Sequence, residues 1–350
     1  MSRKVGLVWD STFLEHDAGY GHPERPERLI AIREVMSERG LWDRLEHVPT
    51  REAGLEELLR NHDPHYIEKV LDSRGQLNTF FDGDTQASPK TAEAALLASG
   101  GAVDLARAVV QGDLDMGFSL GRPPGHHAEH GYAMGFCYFN HIAVVARAMR
   151  EEEGLERILI VDWDVHHGNG TQHSFEDDPS IAFFSVHQGH FYPGTGLVHE
   201  TGKGDGRGFT LNLPLPPAMD DDDYRYCFQN IVLPFARQFQ PQLILLSAGY
   251  DSHHLDPLGS MNVTDTGFGG MAKDLCDVAE EVCDGKLVAF LEGGYDLEGL
   301  STSVGSTLEV MLGDDVAVTG EADSAGKRVR KSCRELAALV EGQWTFELAE

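Results

Sequence analysis

The chain has 350 residues, 41% apolar and 24% charged, with 39 glycines and 15 prolines spread along it, which excludes a collagen-like, disulfide-scaffolded or wholly disordered protein. Its 57 acidic residues outweigh 28 basic ones for a net charge of −29, repelling nucleic-acid phosphates and anionic membranes, so neither is an expected direct partner. Only 8 of the basic residues are Lys against 20 Arg, and the acid excess suits either a salt-tolerant surface or an ordinary acidic protein.

The opening MSRKVGLVWD has no apolar targeting core, and no stretch approaches the roughly 18 apolar residues of a membrane span. Five cysteines without a C-x-x-C pair indicate neither a disulfide framework nor a thiolate zinc site. A cytoplasmic protein is expected.

In chain order, VGLVWD reads as a buried strand, followed by helical patterns from Pro26 to Arg39 and from Thr91 to Val110. DMGFSL is a strand, Ile142 to Glu152 a helix, and RILIVDWDV, IAFFSVH and FTLNLPL are further strands. A helix from Asp222 to Gln238 precedes the strand LILLSAGYD, and a helix from Gly267 to Cys283 precedes LVAFLEGGYD. This alternation is the rhythm of a parallel sheet with crossover helices, an α/β fold. Polar clusters at the strand ends span positions 122 to 296 and converge on one site only if the chain is a single domain. We therefore read 1–312 as the body of that domain, and 313–350 as a surface loop and a terminal packing helix from Cys333 to Glu341. The run KRVRK reads as the solvated flank of that helix.

Alternation along Asp162-Trp163-Asp164-Val165-His166 places Asp162, Asp164 and His166 on one side where the chain leaves its strand. Adjacent carboxylates repel unless a cation or proton lies between them, and carboxylate plus imidazole suits zinc, iron(II), cobalt or manganese. Capping of the next helix is the bland alternative. A third ligand must come from elsewhere: Asp251 ends another apolar strand, and Asp256 follows a few residues later. His126-x-x-Glu129-His130 matches the H-x-x-E-H pattern of zinc peptidases, but Pro123, Pro124 and Gly125 before it, with Gly131 and Gly135 after, make it a loop where that motif needs a helix. The adjacent His126 and His127 suit a general acid/base pair instead. Tyr295, after Glu292-Gly293-Gly294, is either an oxyanion hydrogen-bond donor or a packing residue.

Together RPPGHHA, GFCYFNHIA, DWDVHHGNGTQ, SAGYD-x6-Leu258 and LEGGYD resemble the histone deacetylase family, in its class II and bacterial deacetylase-like branch with the acetylpolyamine amidohydrolases. The resemblance runs from about His22 to Tyr295. It implies the three-layer arginase/deacetylase fold, with a central, mainly parallel sheet of about eight strands flanked by helices. It further implies a catalytic zinc, with iron(II) or cobalt(II) as substitutes, bound by Asp164, His166 and Asp251. His127 would be the general acid/base, His126 its electrostatic partner, and Tyr295 the residue that polarises the acetamide carbonyl.

Asp162 would hold His126 and help bind a structural potassium ion with Asp164, His166, Ser185 and Val186; a second monovalent site would lie near Phe175. Asn169 stands beside His127 where class I members have Asp. A neutral amide cannot offset an imidazolium, so His127 should titrate lower than beside a carboxylate. Gly135, Phe136, Tyr192, Leu258, Gly293 and Gly294 match the substrate channel, and Asp84 either meets substrate at its rim or forms the turn in DGDT. Polyamine-selective relatives carry Glu where Leu258 stands, and a long first-loop insertion is absent, so the implied substrate is acetyl-lysine in a protein or peptide. The alternatives are an acetylpolyamine or other small amide, a catalytically silent acyl-lysine binder, and an arginase-like two-manganese hydrolase. A homo-oligomer is compatible with all of these.

Overall fold

The computed structural model describes residues 3–348. An eight-stranded sheet forms the middle layer. Its first strand, β1 (Val5–Val8), is followed by α1 (Glu27–Glu38) and by the short edge strand β2 (Glu46–Val48). Two small helices, α2 (Leu55–Leu59) and α3 (Pro64–Asp72), and a separate two-stranded ribbon, β3 (Thr79–Phe80) and β4 (Gln86–Ala87), precede the long α4 (Thr91–Gln111). Next come β5 (Met116–Ser119), α5 (His141–Glu153), β6 (Ile158–Asp162), α6 (Asn169–Phe175), β7 (Ile181–Gln188) and β8 (Thr210–Leu215). The remainder is α7 (Asp221–Cys227), a π turn (Phe228–Val232), α8 (Leu233–Phe239), β9 (Leu243–Ala248), α9 (Asp265–Cys283), β10 (Leu287–Leu291), α10 (Leu297–Met311) and α11 (Lys327–Leu339).

The strand order is β2-β1-β5-β10-β9-β6-β7-β8, and every pairing is parallel. β1, β5, β6, β7, β9 and β10 are buried along their whole length, which explains why their sequences read as continuous apolar runs rather than alternating ones. Local chemistry sets the helix ends. The Asn140 side chain caps α5 and Gly154 closes it in the left-handed conformation. Asp296 caps α10 and Thr264 caps α9.

The strand and helix pattern matches the sequence reading, with three corrections. The helix expected from Asp222 to Gln238 is α7 and α8 joined by a π turn. Pro234 sits in the first turn of α8, where its missing N–H is tolerated. The terminal helix starts at Lys327 rather than Cys333: Val329, Cys333 and Leu336 form its buried stripe, so KRVRK lies within the helix rather than flanking it. The edge strand β2 and the helices α2, α6 and α10 carried no clear periodic signal; α3 did, with Asp63 as its cap, Pro64 in its first turn and Tyr66, Ile67 and Val70 on its buried face, and the sequence reading did not include it. Past the sheet, Trp344 packs edge-on against Phe209 and Phe235.

Candidate active site and metal centre

Five neighbouring strands, β5, β10, β9, β6 and β7, release their chains on the same side of the sheet, and the loops beyond those carboxyl ends bring the polar clusters together. Register aligns the exits: Asp162 on β6 pairs with Ser247 on β9 and with Ser185 on β7.

Beyond Asp162 the chain curls, so that Asp162 Oδ1 accepts from the Asp164 N–H at 3.1 Å and Asp164 Oδ1 from the His166 N–H at 2.9 Å. Trp163, facing away, is buried against Phe228, Tyr250 and Phe268. Asp251 enters from the β9 exit, its Oδ1 held by the Val165 N–H at 2.8 Å. Potential ligand atoms of Asp164, His166 and Asp251 lie within 4.8 Å of one another, all three residues are buried, and among the described residues they are the only such group of three. His166 Nδ1 is 3.1 Å from both Asp164 Oδ1 and Asp251 Oδ2.

This donor set fits a divalent cation. Two buried carboxylates facing one imidazole offer negative charge that a divalent cation would balance, and two oxygens with one nitrogen suit zinc or its first-row neighbours. Crowding of these groups shifts their pKa values in opposite directions. Burial and the Asp164 charge push Asp251 up to about 7. Burial opposes protonation of His166, but Asp164 and Asp251 raise it to about 10. Gly293 makes room for the pair: a Cβ there would stand 2.1 Å from Asp251 Oδ2, and its N–H donates to Asp164 Oδ2 at 2.8 Å.

Asp256, the alternative ligand in the sequence, stands outside this group. Its Oδ2 accepts from the Tyr295 N–H at 2.6 Å and its Oδ1 from the Leu258 N–H at 2.9 Å.

The 122–131 segment is a loop. Its three motif residues diverge: His126 Nδ1 meets Asp162 Oδ2 at 3.1 Å, His130 Nδ1 meets the Asn61 carbonyl at 2.7 Å, and Glu129 turns to Asn169 and His173. Glu292, which burial pushes up to about 7, accepts from the Gly125 and His126 N–H groups and so holds the histidine loop. Burial opposes a charge on His126, but Asp164 and Asp162 raise it to about 10. His127, its Nδ1 2.7 Å from Asn169 Oδ1, is held well below the usual imidazole value by burial and then by the positive charges of His126 and His166.

A cavity of about 480 Å3 reaches these groups, with His127, His166 and Tyr295 at its lining. Gly135, Phe136, Tyr192, Leu258 and Asp84 also line it, together with Phe191, Pro257, Gly259 and Ser260. Gly135 is required where it stands: its φ is +56° and a Cβ would lie 2.4 Å from the His127 ring. Phe191, not singled out in the sequence, stacks on His166 at 5.5 Å; its one local signal was adjacency to Tyr192. Tyr295 is buried, which raises its phenol well above the usual value.

Gly293 and Gly294 lie behind this wall rather than in it. The Gly294 carbonyl accepts from Arg28 Nε at 2.6 Å, which anchors the turn carrying Tyr295. Asp84 both lines the cavity and belongs to a turn in which its N–H donates to Asp82 Oδ1 at 3.1 Å. Ser185 Oγ lies 2.9 Å from His187 Nδ1, Val186 is buried beside it on β7, and Phe175 lies under the Arg147 guanidinium at 5.0 Å.

A family model described as the histone deacetylase domain matches residues 22–311. The chain is 38% identical over 324 residues to a probable deacetylase of Archaeoglobus fulgidus, covering 91% of this chain and 89% of that one. It is 42% identical over 311 residues to Histone deacetylase 14, chloroplastic, of Arabidopsis thaliana, covering 84% and 74%. It is 39% identical over 328 residues to the polyamine deacetylase HDAC10 of Homo sapiens, covering 88% of this chain and 46% of that one. The crystal structure of the HDA15 HD domain superposes with a TM-score of 0.92 at 36% identity, covering 98% of this chain and 96% of that one.

Proposed function

Because the chain belongs to the histone deacetylase family, we propose that this deacetylase removes acetyl groups from lysine side chains of proteins or peptides and releases acetate. Asp164, His166 and Asp251 would hold one zinc ion, or iron(II) or cobalt(II) in its place, which when bound polarises the acetamide carbonyl and makes water a nucleophile near neutral pH.

The protein groups do the rest. With Nδ1 committed to Asn169, His127 keeps Nε2 for the proton of the attacking water. Its low pKa keeps it a free base at neutral pH. Tyr295, protonated because it is buried, donates to the oxygen on which negative charge develops. His126, oriented by Asp162, supplies positive charge beside the reacting centre. A protonated histidine then gives the leaving amine its proton, and no covalent enzyme intermediate forms.

The observation that carries the lysine reading is the cavity wall. Leu258 faces a channel also lined by Phe136, Phe191 and Tyr192, apolar surfaces that suit an alkyl stem. A second reading, an acetylpolyamine substrate, is supported by the Asp84 carboxylate on the same cavity, which would attract a distal cationic amine. Acetate release from an acetyl-lysine peptide and from acetylspermidine, measured side by side in low and high salt with a chelator control, separates the two. Peptide preference supports the lysine reading; preference for acetylspermidine overturns it while keeping the reaction type.

We also propose a structural potassium ion held by Asp162, Asp164, His166, Ser185 and Val186, supported by the register that lays buried Asp162 beside Ser185. Residues 313–350 are read as part of the same domain, supported by the buried stripe of α11 and the docking of Trp344. No helix among the described residues is long and apolar enough to cross a membrane. The five cysteines are unpaired thiols, which supports a reducing, cytoplasmic setting.

A further inference from the structure

Once the peptidase reading is set aside, Glu129 of the motif His126-x-x-Glu129-His130 has no assigned task, and the structure gives it specific partners. Asn169 presents Oδ1 to His127 Nδ1 at 2.7 Å, while its amide nitrogen donates to Glu129 Oε1 at 2.5 Å. On the far side, His173 Nδ1 lies 2.9 and 3.1 Å from the two Glu129 oxygens. Asn169 and His173 are one turn apart on α6 and so share a face. Glu129 and Asn169 are buried, whereas His173 reaches solvent.

An asparagine side chain has two ends of the same shape and opposite polarity. With oxygen toward His127, the imidazole carries its proton on Nδ1 and leaves Nε2 free as a base. With nitrogen toward His127, Nδ1 must accept, the proton moves to Nε2, and the base is lost. The other acceptors near Asn169 Nδ2, the His127 carbonyl and Met134 Sδ, each stand at 3.3 Å and hold it weakly. The Glu129 oxygens face Asn169 Nδ2 and His173 Nδ1 as acceptors, so Glu129 favours the amino end of the amide. His173, raised by its bond to Glu129, stands behind that carboxylate as a charge partner.

We propose that Glu129 is a positioning residue for the deacetylation: it locks the Asn169 amide so that only the oxygen meets His127, and thereby sets the tautomer of the base. The catalytic part of this inference rests on the proposed role of His127.

The test uses zinc-loaded protein labelled with 15N-histidine. Long-range proton–nitrogen spectra at about pH 8 read the His127 tautomer, with the signal assigned by its loss in His127→Ala. The parent should show protonated Nδ1 and bare Nε2. Glu129→Leu should shift the pattern toward protonated Nε2 and lower kcat by about tenfold or more, with KM within about twofold. Glu129→Gln, which keeps size and hydrogen bonding but can turn either end inward, should show a smaller effect of the same kind, and serves if Glu129→Leu does not fold. In an Asn169→Asp background both oxygens accept, so Glu129→Gln should no longer lower kcat. An unchanged tautomer in the Glu129 variants, or an equal kcat loss in both backgrounds, overturns the proposal. Should the parent release no acetate, the proposed function fails, and the spectra still decide for or against the amide lock.

Discussion

The Tyr295 N–H donates to Asp256 Oδ2 at 2.6 Å, and the other oxygen of the same carboxylate accepts from the Leu258 N–H at 2.9 Å. One buried side chain thus fixes both the turn carrying Tyr295, the proposed oxyanion donor, and the leucine of the channel wall. Asp256→Ala should lower kcat by about tenfold or more while the protein keeps its metal, because Asp256 is not a ligand. Asp251→Ala should lose the metal. Metal analysis beside kinetics checks this, and loss of metal from Asp256→Ala would contradict it.

Asn169→Asp should move the acidic limb of the pH–rate profile to higher pH by about one unit. His127 is held low by burial and by the charges of His126 and His166, and the hydrogen bond to the neutral Asn169 amide offsets them only in part. A carboxylate in its place stabilises the imidazolium and raises that pKa, and the neutral form is the base of the proposed mechanism. An unmoved limb would show that Asn169 does not set the titration.

Leu258→Glu should shift selectivity from an acetyl-lysine peptide toward acetylspermidine by about tenfold in the ratio of kcat/KM values. The leucine lines the cavity with Phe136 and Tyr192, and a carboxylate there, with Asp84 on the same cavity, would favour a second cationic amine. An unchanged ratio would remove Leu258 from the specificity argument.

Acid should destabilise the fold well before most carboxylates titrate. Burial lowers His62 and His141 to about 4. The Asn140 N–H donates to His62 Nε2 at 2.9 Å, and that nitrogen cannot accept once protonated. Folded values below the ordinary 6.5 mean that the unfolded chain binds more protons between the two. The stabilisation is therefore full above about pH 6.5 and is lost as pH falls toward 4, by roughly 3 kcal/mol per residue. Denaturation at about pH 7.5 and 4.5 measures it, and His141→Gln, able to satisfy both Ser99 and Pro123, should flatten the slope. Equal stability at the two pH values would contradict the account.

The buried strands were legible because parallel sheets covered on both faces read as unbroken apolar runs, and their ends were marked by His, Asp and Gly clusters. The residues that touch across those ends were less so. The α10 sequence LEGLSTSVGSTLEVM is poor in helix formers, and its helix depends on the Asp296 cap and on burial between α1 and α9. β2 is three residues of a sheet edge, too short for any pattern. Asp251 and Asp256 were both acidic residues near a strand end; only the fold shows that one faces His166 and the other the Tyr295 turn. Glu129 and Asn169 are 40 residues apart, and their contact left no local trace.

The central claim is that Asp164, His166 and Asp251 hold the metal that drives amide hydrolysis. Chelator-stripped protein titrated with zinc, with bound metal and acetate release from an acetyl-lysine peptide followed together, tests it most directly. The account predicts that activity rises in proportion to zinc up to a single ion per chain and that Asp251→Ala neither binds zinc tightly nor releases acetate. Full acetate release from metal-free protein, or tight zinc binding undiminished in Asp251→Ala, would contradict it.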